Sequence, residues 1–233
     1  MGYHINHERR YLLRTTGIAL CALAIGASPV SATQESTSAE EISPVEDLMR
    51  EHGVLRRILF IYRDSMGRIR DGQNISWSSI YDSASIIHSF IENYHERLEE
   101  DHIFPAMLKS GKWAGLVDIL KKQHEAGRKL TALVMQTAGK KDLNKSDQEI
   151  IYRALDSFVR MYDPHASRED TVLFPALHVV LGAKEYERMG EVFEKEENRL
   201  FGEHGFEKMV SRVTDIEKKI GLFELSQFTP KVT

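Results

Sequence analysis

Two stretches of this chain repeat one pattern of residues able to do chemistry. The first runs His95-Glu96-Arg97-Leu98-Glu99-Glu100-Asp101-His102-Ile103-Phe104-Pro105, the second His165-Ala166-Ser167-Arg168-Glu169-Asp170-Thr171-Val172-Leu173-Phe174-Pro175. Each has Glu four residues after its His, another acidic residue next, and Phe-Pro at the same offset. Residues four apart on a helix share a face and stand about 6 Å apart along the axis. One helix can therefore offer an imidazole and a carboxylate to the same metal ion.

A lone histidine accompanies each copy. Leu48-x-x-x-His52-x-x-x-Arg56 matches Leu120-x-x-x-His124-x-x-x-Arg128, with His52 placed 43 residues before His95 and His124 placed 41 before His165. Two helical hairpins, each carrying a lone His and one H-x-x-x-E, would fold into an up-down four-helix bundle with all six groups inward. A single histidine on an apolar face is ordinarily a satisfied core residue. Four histidines and two glutamates in duplicated register are different, because unpaired buried carboxylates cost several kcal/mol each. Two divalent ions remove that cost. The predicted ligands are His52, His95, Glu99, His124, His165 and Glu169, about three for each ion, with both glutamates able to bridge.

The elements follow from periodicity. Ser43, Pro44 and Glu46 predict an N-cap, a first-turn proline and a capping box. Helix 1 then carries Val45, Leu48, Leu55, Leu59, Tyr62, Met66 and Ile69 around His52. Asp71-Gly72-Gln73-Asn74 turns the chain into helix 2, which starts near Ser76 and is predicted to kink or end at Pro105. Helix 3 spans about 113–138 around His124, and a polar loop fills 139–147. Helix 4 begins near Asp147 and contains Pro164 directly before His165, a break in the helix rule of the kind found at functional sites. Gly182 turns into one or two further helices over 184–220. The boundaries read as a bundle over 43–182, a helical extension over 183–221 and a loose tail over 222–233.

Composition narrows the function. The net charge of −4 disfavours phosphate-backbone binding, so no nucleic-acid partner is expected. The only cysteine is Cys21, which leaves the body without disulfides, thiolate ligands or a Cys nucleophile. Imidazole and carboxylate without thiolate suit iron, zinc or manganese. A structural zinc site would close its tetrahedron, whereas three ligands per ion leave open positions. A ferritin-like centre takes Glu-x-x-His from two helices. Here Glu92-x-x-His95 and Glu99-x-x-His102 both lie on helix 2, so that pattern fails.

The N-terminus reads as an export signal over 1–32. Glu8-Arg9-Arg10-Tyr11-Leu12-Leu13-Arg14 resembles the twin-arginine motif, a moderately apolar segment follows to Ala27, and Val30-Ser31-Ala32 forms a small-residue cleavage site. Cleavage removes three Arg and one Glu, taking the net charge from −4 to −6. Residues 33–42 are a Ser/Thr/Glu-rich leader expected to be disordered. No run of about 18 apolar residues follows, so no membrane association is expected after cleavage. The expected location is the periplasm or beyond, the alternative being anchorage by an uncleaved N-terminal helix.

The repeated H-x-x-x-E motifs with their lone histidines resemble the hemerythrin-like (HHE cation-binding) family of non-haem iron proteins. The likeness covers about residues 44–180 and extends toward 220. It implies an all-α four-helix bundle with additional C-terminal helices, and the same six ligands. It also implies a di-iron centre, bridged by carboxylates and a solvent oxygen, that binds oxygen or nitric oxide. Two departures stand out. Oxygen-carrying hemerythrins have a second His one turn along their third helix, where this chain has Arg128. Their last carboxylate is an Asp five residues beyond its His, whereas Glu169 is four beyond. The expected function is binding of oxygen or a related diatomic, sensing, or iron handling. The alternative is a di-iron oxidoreductase turning over peroxide or nitric oxide. No acid/base residue beyond the ligands is evident, so binding ranks above turnover. The C-terminal helices offer a surface for a protein partner or self-association. Glu96 is a candidate extra ligand, and His88 and His102 are candidate neighbours of the site. His178 and His204 lie outside the repeat. Glu100 and Asp170 are expected to pair with Arg56 and Arg128.

Overall fold

Helix α1, Pro44–Arg70, starts where its N-cap predicts, with the Ser43 hydroxyl accepting the Glu46 backbone N–H at 3.2 Å. The capping box expected there does not form, since no side-chain hydrogen bond returns from Glu46 to Ser43. The chain instead places its box at the start of the fourth helix. There Asn144 accepts from the Asp147 backbone and Asp147 accepts from the Asn144 backbone. That helix consequently begins at Lys145, two residues earlier than its sequence suggests, and the connecting loop shortens to 139–144.

The computed structural model describes residues 42–232. The twin-arginine motif, the cleavage site and the leader through residue 41 lie outside the described residues. After α1, α2 runs over 77–109, α3 over Ala114–Ala138 and α4 over 145–181. Each helix packs on its neighbours in chain order and α4 returns to α1, which closes an up-down bundle. The extension is two helices, α5 over Ala183–Phe201 and α6 over Gly205–Ile220. Their buried faces, with Met189 and Phe193 on α5 and Met209, Val213 and Ile216 on α6, lie against the bundle. Arg57 of α1 fastens α6 through Glu217 and Thr214. Residues 43–233 form one compact unit, and no described helix is long and apolar enough to cross a membrane.

Neither Phe-Pro ends its helix. Wide π turns, Glu99–Ile103 in α2 and Glu169–Leu173 in α4, close just before each motif. The N–H of Phe104 reaches the carbonyl of Glu99, five residues back, and Phe174 reaches Glu169 in the same way. Pro105 and Pro175 thereby fall in the first turn of a fresh α-helical stretch, where a missing N–H costs little. Pro164 likewise sits inside continuous helix, Lys145–Arg168. The C-terminal segment is not wholly loose. Leu222 is buried, Leu225–Phe228 forms a short 3-10 turn, and the Phe228 ring meets Phe60 edge-on at 5.1 Å.

Candidate metal centre

The six predicted residues converge in the middle of the bundle, and none is more than 3% exposed. Alpha1 supplies His52, α2 supplies His95 and Glu99, α3 supplies His124, and α4 supplies His165 and Glu169. Nε2 of His52 lies 3.0 Å from Nε2 of His95, and Nε2 of His124 lies 3.2 Å from Nε2 of His165. Glu99 faces both pairs, with Oε1 3.7 Å from His95 and Oε2 3.4 Å from His124. Glu169 does the same through Oε2, at 3.4 Å from His52 and 3.1 Å from His165. The ligand atoms sort into two groups that can each hold a metal ion, His52-His95-Glu99 and His124-His165-Glu169.

The opposite edge of each imidazole is held by a named oxygen. Nδ1 of His52 donates to Asp170 at 2.7 Å, and Nδ1 of His95 donates to Glu51 at 2.8 Å. Nδ1 of His124 donates to Glu100 at 3.1 Å, and Nδ1 of His165 donates to the Gln123 side-chain oxygen at 2.8 Å. With the proton on Nδ1, a neutral ring turns its Nε2 lone pair inward, where it can meet a metal ion or a proton. Two lone pairs facing each other at 3.0 Å repel unless a cation or proton lies between them. The four oxygens of Glu99 and Glu169 are also buried and receive no hydrogen bond. Native proteins rarely leave so many buried acceptors without a partner. This donor set fits two divalent cations, and its imidazole-carboxylate chemistry suits iron.

Electrostatics record the same crowding. Burial alone would push His52 down, but the carboxylates of Asp170 and Glu169 outweigh it and raise the group to about 9. His95 is held well below the usual imidazole range by burial and then by His52 beside it. Burial takes His124 down to about 4, against the pull of Glu100. Burial pushes Glu99 well up, reinforced by the Glu169 carboxylate. For Glu169 burial acts in the same sense, but the imidazoles of His165 and His52 outweigh it and hold the carboxyl well down.

The π turns explain how neighbouring acids serve one site. Glu99 and Glu169 face the Nε2 edges, while the next residues, Glu100 and Asp170, take the Nδ1 edges. The two arginines pair with those second acids, Arg128 with Glu100 and Arg56 with Asp170, so each acid takes the arginine of the other half. Glu100 is held down to about 2, because hydrogen bonds from His124 and Arg128 overcome its partial burial. Arg128 is no stand-in for a missing ligand, since its guanidinium holds Glu96 at 2.9 Å and Glu100 at 2.7 Å. Glu96 lies near Glu100 and His124 but also accepts the Tyr162 hydroxyl at 2.6 Å, so both its oxygens have partners outside the six. Tyr162 has room because residue 127 is glycine, where a Cβ would come within 2.0 Å of its hydroxyl oxygen. His88 is exposed and paired with Glu92, and His102 packs near the Phe193 ring. His178 meets Tyr186, and His204 forms the left-handed turn between α5 and α6.

Glu51 and Gln123 escape sequence reading because each precedes an inward histidine and so points about 100° round the helix. Their common position in the duplication was the available signal. The Phe-Pro phenylalanines also had a role to find. Phe174 stacks on His52 and Phe104 on His124, both with ring centres 5.5 Å apart, and they wall the ligands off from water.

Comparison with known proteins gives the family. The Hemerythrin HHE cation binding domain model matches residues 43–177, and again 117–200, the second match starting inside α3 where the second half of the duplication begins. The chain belongs to this hemerythrin HHE cation-binding family, and its His/Glu groups are placed to hold metal. It is 41% identical over 232 residues to uncharacterized proteins of Mycobacterium tuberculosis and Mycobacterium bovis, covering 95% of this chain and 91% of each relative. No solved structure matches.

Proposed function

We propose that this chain is a non-haem di-iron protein that binds oxygen or a related diatomic, with His52, His95, His124 and His165 as terminal ligands. Glu99 and Glu169 are the bridging carboxylates in this reading. The carrying observation is the two close Nε2–Nε2 approaches, 3.0 and 3.2 Å, together with four buried carboxylate oxygens that lack a donor. Bound iron supplies open coordination positions and one-electron chemistry toward a diatomic ligand. The protein's own part is orientation and shelter. Nδ1 partners fix each ring, Phe104 and Phe174 exclude water, and the duplicated halves hold the two histidine pairs to a common pair of carboxylates. The test is absorption of the iron-loaded chain under nitrogen and under air. Near-ultraviolet bands that appear with oxygen and disappear under vacuum support a binder. Slow irreversible oxidation without a reversible phase counts against it.

Turnover of peroxide or nitric oxide at the same site gains one observation. Glu96 is raised to about 8 by burial, against the opposing effect of Tyr162 and Arg128, and forms a proton-holding group beyond the ligands. Catalytic loss of peroxide that falls in Glu96→Gln while iron is retained would favour this reading. Export by the twin-arginine route rests on residues 8–14 and is tested by substituting Lys for Arg9 and Arg10, which should hold the chain in the cytoplasm.

A further inference from the structure

The groups on the Nδ1 edges follow the internal duplication with a single exception. The acid after each ligand glutamate holds the lone histidine of the other half, Asp170 on His52 and Glu100 on His124. Each of these acids is in turn paired with the arginine four residues beyond that histidine, Arg56 and Arg128. The residue before each lone histidine holds the histidine of the H-x-x-x-E motif in its own half. That residue is Glu51 on His95 but Gln123 on His165. Both bonds are 2.8 Å long, so geometry is conserved and only the charge differs.

A carboxylate accepting from Nδ1–H draws the proton away from the ring and makes Nε2 a stronger donor, whereas a neutral amide does so weakly. An ion held by His52 and His95 would therefore be backed by two carboxylates, and one held by His124 and His165 by one carboxylate and one amide. Glu96, close to His124, does not restore the balance, because Tyr162 and Arg128 hold its two oxygens.

We infer that the two metal positions are inequivalent, the His52–His95 position binding first and more tightly, and that the Glu51/Gln123 difference sets the order. This rests on the metal-binding reading above. Outer-shell partners of ligand histidines are worth about 10- to 100-fold in metal affinity, and the expected separation between the two steps is of that size.

The test is a titration of the chelated full-length chain with cobalt(II), a redox-stable and visibly coloured probe, followed by calorimetry and by paramagnetically shifted imidazole N–H proton resonances. Wild type should bind in two resolved steps, and the first equivalent should shift the Nδ1 protons of His52 and His95. Gln123→Glu should draw the second step toward the first, while Glu51→Gln should weaken the first toward the second. Circular dichroism confirms that each variant is folded. If Glu51→Gln does not fold, Gln123→Glu alone decides. Equal steps in wild type, first occupancy at His124 and His165, or an unchanged separation in Gln123→Glu would overturn the inference while leaving a two-metal site. No cobalt uptake at all would instead overturn the metal reading.

Discussion

Replacing Glu99 with methionine should stabilise the protein without metal and destabilise it relative to wild type with metal. The Glu99 side chain is fully buried, and neither of its oxygens receives a hydrogen bond. Burial and the Glu169 carboxylate push its carboxyl well up, so the fold without metal disfavours its charged form, and its acceptor capacity goes unused. A buried polar group left unsatisfied costs about 1–3 kcal/mol. Methionine keeps the chain length, fills the space with apolar atoms and removes that cost. The chelated variant should thus gain about 1–3 kcal/mol, which for a chain of this size raises Tm by roughly 2–12 °C. Metal reverses the order. At an excess of about a hundredfold over Kd, each ion adds about 2.7 kcal/mol to wild type, and the variant has lost a ligand shared by both positions. The assay is thermal and urea unfolding of both proteins in chelator and in manganese(II). A chelated variant that is less stable than wild type by the 2–5 kcal/mol typical of a damaged core would refute the reasoning, since Glu99 would then be satisfied without a cation.

Gly127→Ala should destabilise by about 1–3 kcal/mol, because its Cβ collides with the Tyr162 hydroxyl, whereas Gly115→Ala in the same helix has nothing within 4 Å and should stabilise by about 0.4–1 kcal/mol. Thermal melts of the two variants side by side test the contrast, and equal behaviour would remove the packing role assigned to Gly127. The chelated protein should also lose stability on the alkaline side. The His52 imidazole is raised from 6.5 to about 9 in the fold, so its contribution is fully present below pH 6.5 and is lost as pH climbs through about 9. The Glu99 shift acts in the same direction. Urea midpoints between pH 7.5 and pH 9.5, above the range in which the lowered His95 and His124 make stability rise with pH, should fall for wild type and flatten in His52→Gln, and a wild-type midpoint that rises over that range would contradict the assignment.

The ligand set was legible because helical spacing of the apolar stripes carries His52, His95, His124 and His165 inward together, and the duplication raises a weak motif into a strong one. The same register marked Arg56 and Arg128 as partners for Glu100 and Asp170, but that each arginine takes the acid of the other half shows only in the packed bundle. The π turns could not be foreseen, since an H-x-x-x-E spacing looks α-helical and nothing in local composition marks a turn closed five residues back. Missing them made Pro105 look like a helix terminus. The start of α4 was misplaced because Asn144 and Asp147 are both good caps, and only hydrogen bonding shows that they act together. Glu46 illustrates the converse, a residue in capping-box position whose side chain goes unused for the cap. Phe228 reads as part of a loose tail because its partner, Phe60, lies far away in sequence and no periodicity links the two.

Metal content tests the central claim most directly. The full chain purified from iron-replete cells should carry about two irons per molecule, measured by mass spectrometry of the dissolved protein, and His95→Ala and His165→Ala should each lower that content while helical circular dichroism is kept. Substoichiometric metal in wild type whatever the supply, or two irons retained in both variants, would contradict it.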